Sequence, residues 1–286
     1  MKTLEKLKFP KLENEYLENI LRQLVNQDDV IQMFFTRQPS FVFSYLIIHI
    51  EKNIDAQELQ QNKWVKKVRN LYQIDVYLIY SERLRHRFSL GHPFIEFYCQ
   101  PSAIIYQNKE LENPLIVKRD WKKYKKRFNM FEDHFHHDHD LHLSHVKNLI
   151  SEGSSNSVFT SYSRLIEYDL EYLEELYLGN KSALLSLDER INNLIEYIPD
   201  IQKYFVRHSH NKFYLTDLFV KVKESTADDE EIYKEEMYEA VGITEQSLYR
   251  LIEERFDELK TLIKKGLFEK HDVVCQIDDK PEDVIL

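Results

Sequence analysis

Residues 41–50 read Phe-Val-Phe-Ser-Tyr-Leu-Ile-Ile-His-Ile, and residues 74–80 read Ile-Asp-Val-Tyr-Leu-Ile-Tyr. Both runs are aromatic or β-branched almost throughout, which is the composition of strands. The first is nearly continuous rather than alternating, so it predicts a central strand buried on both faces. Between them Leu59, Trp64, Val65, Val68 and Leu71 recur at helical spacing. Asp55 is placed to cap that helix, with Glu58 three residues on to complete a capping box. Upstream, Leu17, Ile20, Leu21 and Leu24 make a helical stripe, with Leu12 and Tyr16 before it, and a helical reading extends to Val30, Ile31 and Phe34. Downstream come the basic segment Arg83 to Arg87, a turn at Leu90-Gly91-His92-Pro93, Phe94 to Cys99, and a last strand near Ala103 to Tyr106. Strand–helix–strand order predicts a small α/β domain.

From Asp120 the pattern changes. Proline nearly vanishes and helical spacing takes over. Phe159, Tyr162, Leu165, Ile166, Leu170, Leu173 and Leu176 form one stripe. Ile191, Leu194, Ile195 and Ile198 form another, stopped by Pro199. Phe213, Leu215, Leu218, Phe219 and Val222 fit a third helix. The longest stripe runs from Leu248 through Leu251, Ile252, Phe256, Leu259 and Leu262 to Ile263, with Thr244 as N-cap and Gly266 as stop. Such stripes bury against one another, which makes this half a bundle. Ser151 to Ser157 reads as an internal loop. The fold class is therefore α+β, with an α/β domain over residues 1–115, a helical bundle over 116–270 and a tail over 271–286. The boundary falls in Leu111 to Lys118.

The 286 residues are 43% hydrophobic and 31% charged, enough for a true core. No apolar run reaches membrane-spanning length, and the N-terminus lacks the pattern of a secretory signal. Cys99 and Cys275 are too few for a disulfide framework or a four-cysteine zinc site, so a cytoplasmic location is expected. Thirty-nine basic residues against 49 acidic ones give a net charge of −10, which argues against a protein that coats nucleic acid over its whole surface. With five glycines there is no glycine-rich phosphate loop.

Two clusters carry chemistry. Lys118, Arg119, Lys122, Lys123, Lys125, Lys126 and Arg127 crowd one segment, with Trp121 and Tyr124 between them. Cations with interleaved aromatics suit a nucleic-acid backbone; the plain alternative is a solvated helix with aromatic anchors. The acidic neighbours, Glu132 to Asp140 and Asp228 to Glu236, oppose a polyanion. The second cluster holds half of the histidines: His134, His136, His137, His139, His142 and His145, with Asp133, Asp138 and Asp140. Imidazole and carboxylate both ligate divalent metals. On a helix Asp138, His142 and His145 fall on one face, and His139 joins from the adjoining one, giving a candidate zinc or nickel site. The competing readings are adventitious affinity and a solvated face.

The order of the two halves resembles a pairing found in bacterial proteins, a minimal nucleotidyltransferase-like domain followed by a HEPN domain. The resemblance rests on Tyr45 to Ile50, Ile74 to Tyr80, and Gly91-His92-Pro93-Phe94 followed by Ser102 to Tyr106 in the first half. In the second it rests on Val158 to Gly179, Leu185 to Phe205 and Phe213 to Ser225. The resemblance implies nucleotide or RNA as ligand type and a homodimer through the helical domain. The catalytic motifs do not carry over. Gln38-Pro39-Ser40 and Phe43-Ser44-Tyr45 stand where the transferases have Gly-Ser and Asp-x-Asp, leaving only Glu51 and Asp75 as lone carboxylates. Phe213 to Ser225 has neither the Arg nor the His of the ribonucleases, and Arg207, His208 and His210 lie upstream at a different spacing. The expectation is a binding or regulatory protein without catalytic residues, with nucleotide or RNA as ligand, no membrane, and Arg207, His208 and His210 beside the basic segment as its anion contacts. The alternatives are a metal-dependent enzyme and a HEPN-type ribonuclease with a non-standard site. A wide apolar stripe on Val158 to Tyr177, with Tyr168 and Tyr172 on a second face, independently favours pairing of two copies; the competing reading is that the α/β domain folds back and covers this helix within one chain.

Overall fold

A computed structural model describes residues 9, 12, 14–27, 29–37, 44–93, 98–99, 101–108, 121–152, 155–179, 185–224 and 235–264. The architecture is mixed α and β, with strands toward the N-terminus and helices beyond. The chain divides into two compact units, Met1–Asn129 with Leu262–Leu286, and Met130–Thr261. This division falls inside a continuous helix. The Leu111 to Lys118 boundary expected from composition lies outside the described residues, as do Gly266, Cys275 and the Asp228 to Lys234 part of the second acidic block.

The first unit opens with α1 (Glu15–Gln27), whose first turn is capped by Asn14, its side-chain oxygen accepting from Leu17 N at 3.0 Å. β1 (Val30–Arg37) and β2 (Ser44–Ile50) follow as antiparallel neighbours. Next come α2 (Asn53–Gln60), α3 (Lys63–Tyr72) and β3 (Ile74–Tyr80), the last running parallel to β2. The unit continues with α4 (Ser81–Leu90) and the short β4 (Ile104–Gln107), antiparallel to β1. The sheet order is β3-β2-β1-β4. The predicted central strand is thus found, flanked on both sides, and its Tyr45 to Ile50 stretch is buried.

Three sequence expectations fail here. Val30 to Phe34 does not continue α1; it forms β1, because pairing with both β2 and β4 overrides a helical spacing this short. Asp55 is not an N-cap: α2 starts at Asn53 after Lys52 with no side-chain cap, and Asp55 sits in the first turn. The single helix expected between the strands is two. Gln60 lies at the break because its amide is used elsewhere: its Nε2 donates to Val76 O at 3.0 Å and its Oε1 accepts from Leu78 N at 2.8 Å. The basic Arg83 to Arg87 segment lies in α4, which closes on Gly91 at φ +71°. A β-carbon there would stand 2.7 Å from the Arg127 β-carbon and from the Phe128 backbone, so both conformation and space require glycine.

Helix α5 (Trp121–Glu152) leads into α6 (Ser155–Tyr177), so the expected 151–157 loop is helical at both ends. The second unit then has α7 (Leu187–Ile195), a 3₁₀ turn over Pro199–Lys203, the hairpin strands β5 (Arg207–Ser209) and β6 (Lys212–Phe213), α8 (Tyr214–Glu224) and α9 (Glu235–Lys264). Ser186 and Glu189 form a full capping box on α7. Thr244 is not an N-cap. It lies mid-helix in α9, its hydroxyl donating to Ala240 O at 3.2 Å. Val158, Phe159, Leu165, Ile166, Leu170, Leu173 and Leu176 of α6 are buried. Its second face is met within the chain: the Tyr172 ring lies 4.6 Å from Phe135 and the Tyr168 ring stacks on Phe135 at 5.8 Å. No helix among the described residues is long and apolar enough to cross a membrane.

Within the sheet unit, His49 near the end of β2 is 4% exposed and its Nε2 lies 2.9 Å from Ser81 Oγ. Burial first, and the Arg85 charge second, hold its pKa down from 6.5 to about 4. The unfolded chain therefore takes up this proton before the folded one does. Stability that is full above pH 6.5 falls as pH drops toward 4, by up to about 3 kcal/mol from this group. Urea unfolding at pH 7, 5.5 and 4.5 should show that decline, and His49→Gln should flatten it.

Candidate metal centre

The mid-points of three helices of the second unit place His139 (α5), Asp169 (α6) and Glu245 (α9) together, all buried. One ligand atom from each lies within 4.8 Å of the others. His139 Nε2 is 2.9 Å from Glu245 Oε1 and 3.7 Å from Asp169 Oδ1. Two ligand atoms bonded to one cation at about 2.1 Å, at angles between about 90° and 110°, stand roughly 3.0–3.4 Å apart. The two separations from His139 Nε2 match that spacing to within a few tenths of an ångström, and the two carboxylates offer oxygens within 4.8 Å of each other.

The electrostatics are demanding. Asp169 is wholly buried, and neither of its oxygens has a hydrogen-bond partner. Burial first, and the nearby Glu245 charge second, push its carboxyl well above the usual range. His139 Nδ1 is also buried without a hydrogen-bond partner, while Nε2 pairs with Glu245 Oε1. The walls are aromatic: the Tyr249 ring is 4.5 Å from the His139 ring and Phe135 is 5.6 Å from it. One turn away, Tyr249 Oη pairs with His136 Nδ1 at 3.1 Å, and His136 Nε2 meets Glu253 at 3.2 Å. Lys260 pairs with Glu132 at 2.5 Å. The α5–α9 seam is thus a polar ladder with the triad at one end.

Of the four metal candidates read from sequence, the structure brings only His139 into this group. Asp138 is half-buried and pairs with His134 at 3.4 Å. His142 and His145 are exposed, with the His142 ring 5.3 Å from Tyr168. Among the described residues, no other three His, Cys, Asp or Glu ligand atoms gather this closely. Asp169 and Glu245 were missed by sequence reading. Their signal is a carboxylate inside an apolar stripe, Asp169 between Ile166 and Leu173 and Glu245 between Val241 and Leu248.

The candidate anion-binding residues fall in both units. Lys118 and Arg119 lie outside the described residues. Lys122, Lys123, Lys125 and Lys126 are exposed, whereas Tyr124 and Phe128 are buried and not open to stacking. The Arg127 guanidinium lies 4.9 Å from the Phe88 ring centroid. Arg207, His208 and His210 are exposed on the β5–β6 hairpin. Arg207 is folded onto it, donating to His210 O and covering the Phe213 ring, and His208 pairs with Asp217. Glu51 and Asp75 sit at opposite ends of the parallel pair, since Asp75 registers with Tyr45 while Glu51 follows Ile50, the partner of Tyr80. At about 3.3 Å per residue they are roughly 17–20 Å apart, too far to share an ion. Asp75 instead pairs with Arg69 at 3.2 Å.

No protein-family model, curated protein or solved structure matches this chain.

Asp169 in the metal-free protein is a strained choice, and its amide isostere removes the ionisation that favours the unfolded chain. Asp169→Asn should raise metal-free stability at pH 7 by about 1 kcal/mol or more. Chemical unfolding of chelator-treated protein measures this; a loss of stability on substitution would contradict the account.

Proposed function

We propose that this chain is a binding and regulatory protein whose helical unit holds one divalent cation between His139, Asp169 and Glu245. The observation that carries the reading is the wholly buried Asp169 carboxyl with no hydrogen-bond partner, beside a second carboxylate and an imidazole. A divalent ion neutralises two carboxylates and replaces the missing hydrogen bonds, so the cost of burying them is offset. One nitrogen and two oxygen donors suit zinc, manganese or iron(II) better than a soft ion, and nickel remains compatible. The three side chains are at most 3% exposed, which favours an ion that orders the bundle over one that turns substrate over. A metal-dependent enzyme is the alternative, since three protein ligands leave coordination positions open.

Metal analysis of the purified full chain and calorimetry with zinc, nickel and manganese test this. One ion per chain is expected, with affinity reduced at least about 100-fold in Asp169→Asn and Glu245→Gln. Joint substitution of His142 and His145 by alanine should leave that affinity unchanged. Equal binding by wild type and Asp169→Asn would end the proposal.

A second reading keeps polyanion binding, the ligand type implied by the resemblance to nucleotidyltransferase–HEPN pairs. The observation that favours it is the hairpin, where exposed Arg207, His208 and His210 stand beside Tyr214, itself 61% exposed with its ring 5.2 Å from His208. An exposed ring next to cations suits single-stranded RNA. Fluorescence anisotropy with an RNA oligonucleotide should then show affinity that falls with salt and drops several-fold in Arg207→Ala with Tyr214→Ala. Binding indifferent to both would remove it.

A further inference from the structure

The proposed centre poses a problem of access. His139, Asp169 and Glu245 are sealed, so no hydrated cation reaches them unless a side chain moves. On one side the cover is the interlocked cluster of Phe135, Tyr168, Tyr172 and Tyr249, whose rings lie 4.6–5.9 Å from Phe135. Moving one of these disturbs the others. On another side the bundle carries an open groove of about 410 Å³, lined in part by Ile150, Tyr162, Tyr238, Gly242 and Gln246. Gly242 and Gln246 bracket Glu245 on α9, so the groove floor lies within one turn of a ligand.

One buried side chain of the groove wall stands out. Tyr162 of α6 lines the groove and is 7% exposed. Burial first, and the Glu245 charge second, raise its hydroxyl's pKa, so the phenol stands within electrostatic reach of a ligand. Opposite it stands Gly242. A β-carbon at that position would sit 3.1 Å from the Tyr162 hydroxyl, closer than ordinary contact. A glycine in the middle of a long helix costs about 1 kcal/mol relative to alanine. Here it leaves the phenol a slot from which it can swing toward the open groove. The groove also carries Glu239 at its lining, and a carboxylate there attracts a cation toward the floor.

We propose that this groove is the port of the metal centre, and that Tyr162 is its gate, closed while its hydroxyl lies in the space that Gly242 leaves and open when the ring swings into the groove. The occupant is a hydrated divalent cation. This rests on the reading of His139, Asp169 and Glu245 as cation ligands, and it assigns rates rather than affinity to Tyr162, Gly242 and Gln246. None of the three is a ligand, so changing them alters entry and exit together and leaves the equilibrium constant in place.

The test is stopped-flow loading of the full, chelator-stripped chain with zinc, followed by release to a chromophoric chelator. Tyr162→Ala should speed both loading and release by about tenfold or more. Gly242→Ala, whose β-carbon takes the space the hydroxyl occupies and drives the phenol toward the groove, should act in the same direction, whereas Gln246→Trp, a rim change at an exposed position, should slow both by a similar factor. Dissociation constants should stay within about threefold of wild type, and circular dichroism should report the same helicity. If zinc binds tightly and all three variants load at the wild-type rate, the port is wrong and the centre stands. If a variant changes affinity without changing loading, the residue supports the ligands and the gate is wrong. If wild type takes up no zinc, manganese or iron(II), the centre and its port fall together.

Discussion

The second unit is organised around the cost of enclosing an imidazole and two carboxylates among aromatic rings. Each of His139, Asp169 and Glu245 comes from the middle of a different helix, where an apolar residue would pack without penalty. A half-satisfied polar cluster is worse than an apolar core. A proton on Asp169 removes one charge, and a cation would compensate both carboxylates at once. The proposed ion would also tie α5, α6 and α9 together, and its binding and the folding of this unit would then share one energetic term.

The seam between α5 and α9 extends that logic. His139 with Glu245, His136 with Tyr249 and Glu253, and Glu132 with Lys260 succeed one another along the two helices. An apolar interface of Leu and Ile could slip by a turn at small cost. Pairs of polar partners at fixed heights resist this, because a slip parts every pair and leaves the buried His139 and Glu245 without their complements. The histidine-rich composition of α5 follows partly from this: every third or fourth position on its inner face needs a group that bridges ring packing and hydrogen bonding.

How far the sequence could be read depends on the range of the interactions. β2 was legible because a central strand must be apolar on both faces, and the edge strand β3 because its run is aromatic and β-branched; both are local properties. β1 was not, since Val30, Ile31 and Phe34 satisfy a helical spacing as well as a strand, and only pairing with β2 and β4 decides. Thr244 was read as an N-cap because threonine is a favoured capping residue. It lies inside α9, whose first turns precede it and carry Gly242 opposite the Tyr162 hydroxyl. In the histidine tract the abundant, regularly spaced members, His142 and His145, point outward. His139 finds its partners on two other helices, and no spacing rule reaches across such distances. What betrays them is the reverse signal, Asp169 and Glu245 standing where leucine is expected.

The amide of Gln60 has a consequence for the sheet as a whole. It lies along β3 and bonds both Val76 O and Leu78 N, two of the main-chain groups a further strand would claim. One side chain thus occupies the vacant position beside an edge strand, and it does so from a helix break that the chain spends for this purpose. β4 at the opposite edge is only four residues long. A sheet closed off in this way gives little purchase to a foreign β-segment, whether a stray copy of the same chain or an extended peptide. Whatever this protein recognises, main-chain zippering onto β3 is an unpromising way to do it. Self-templated growth of the sheet is discouraged by the same amide.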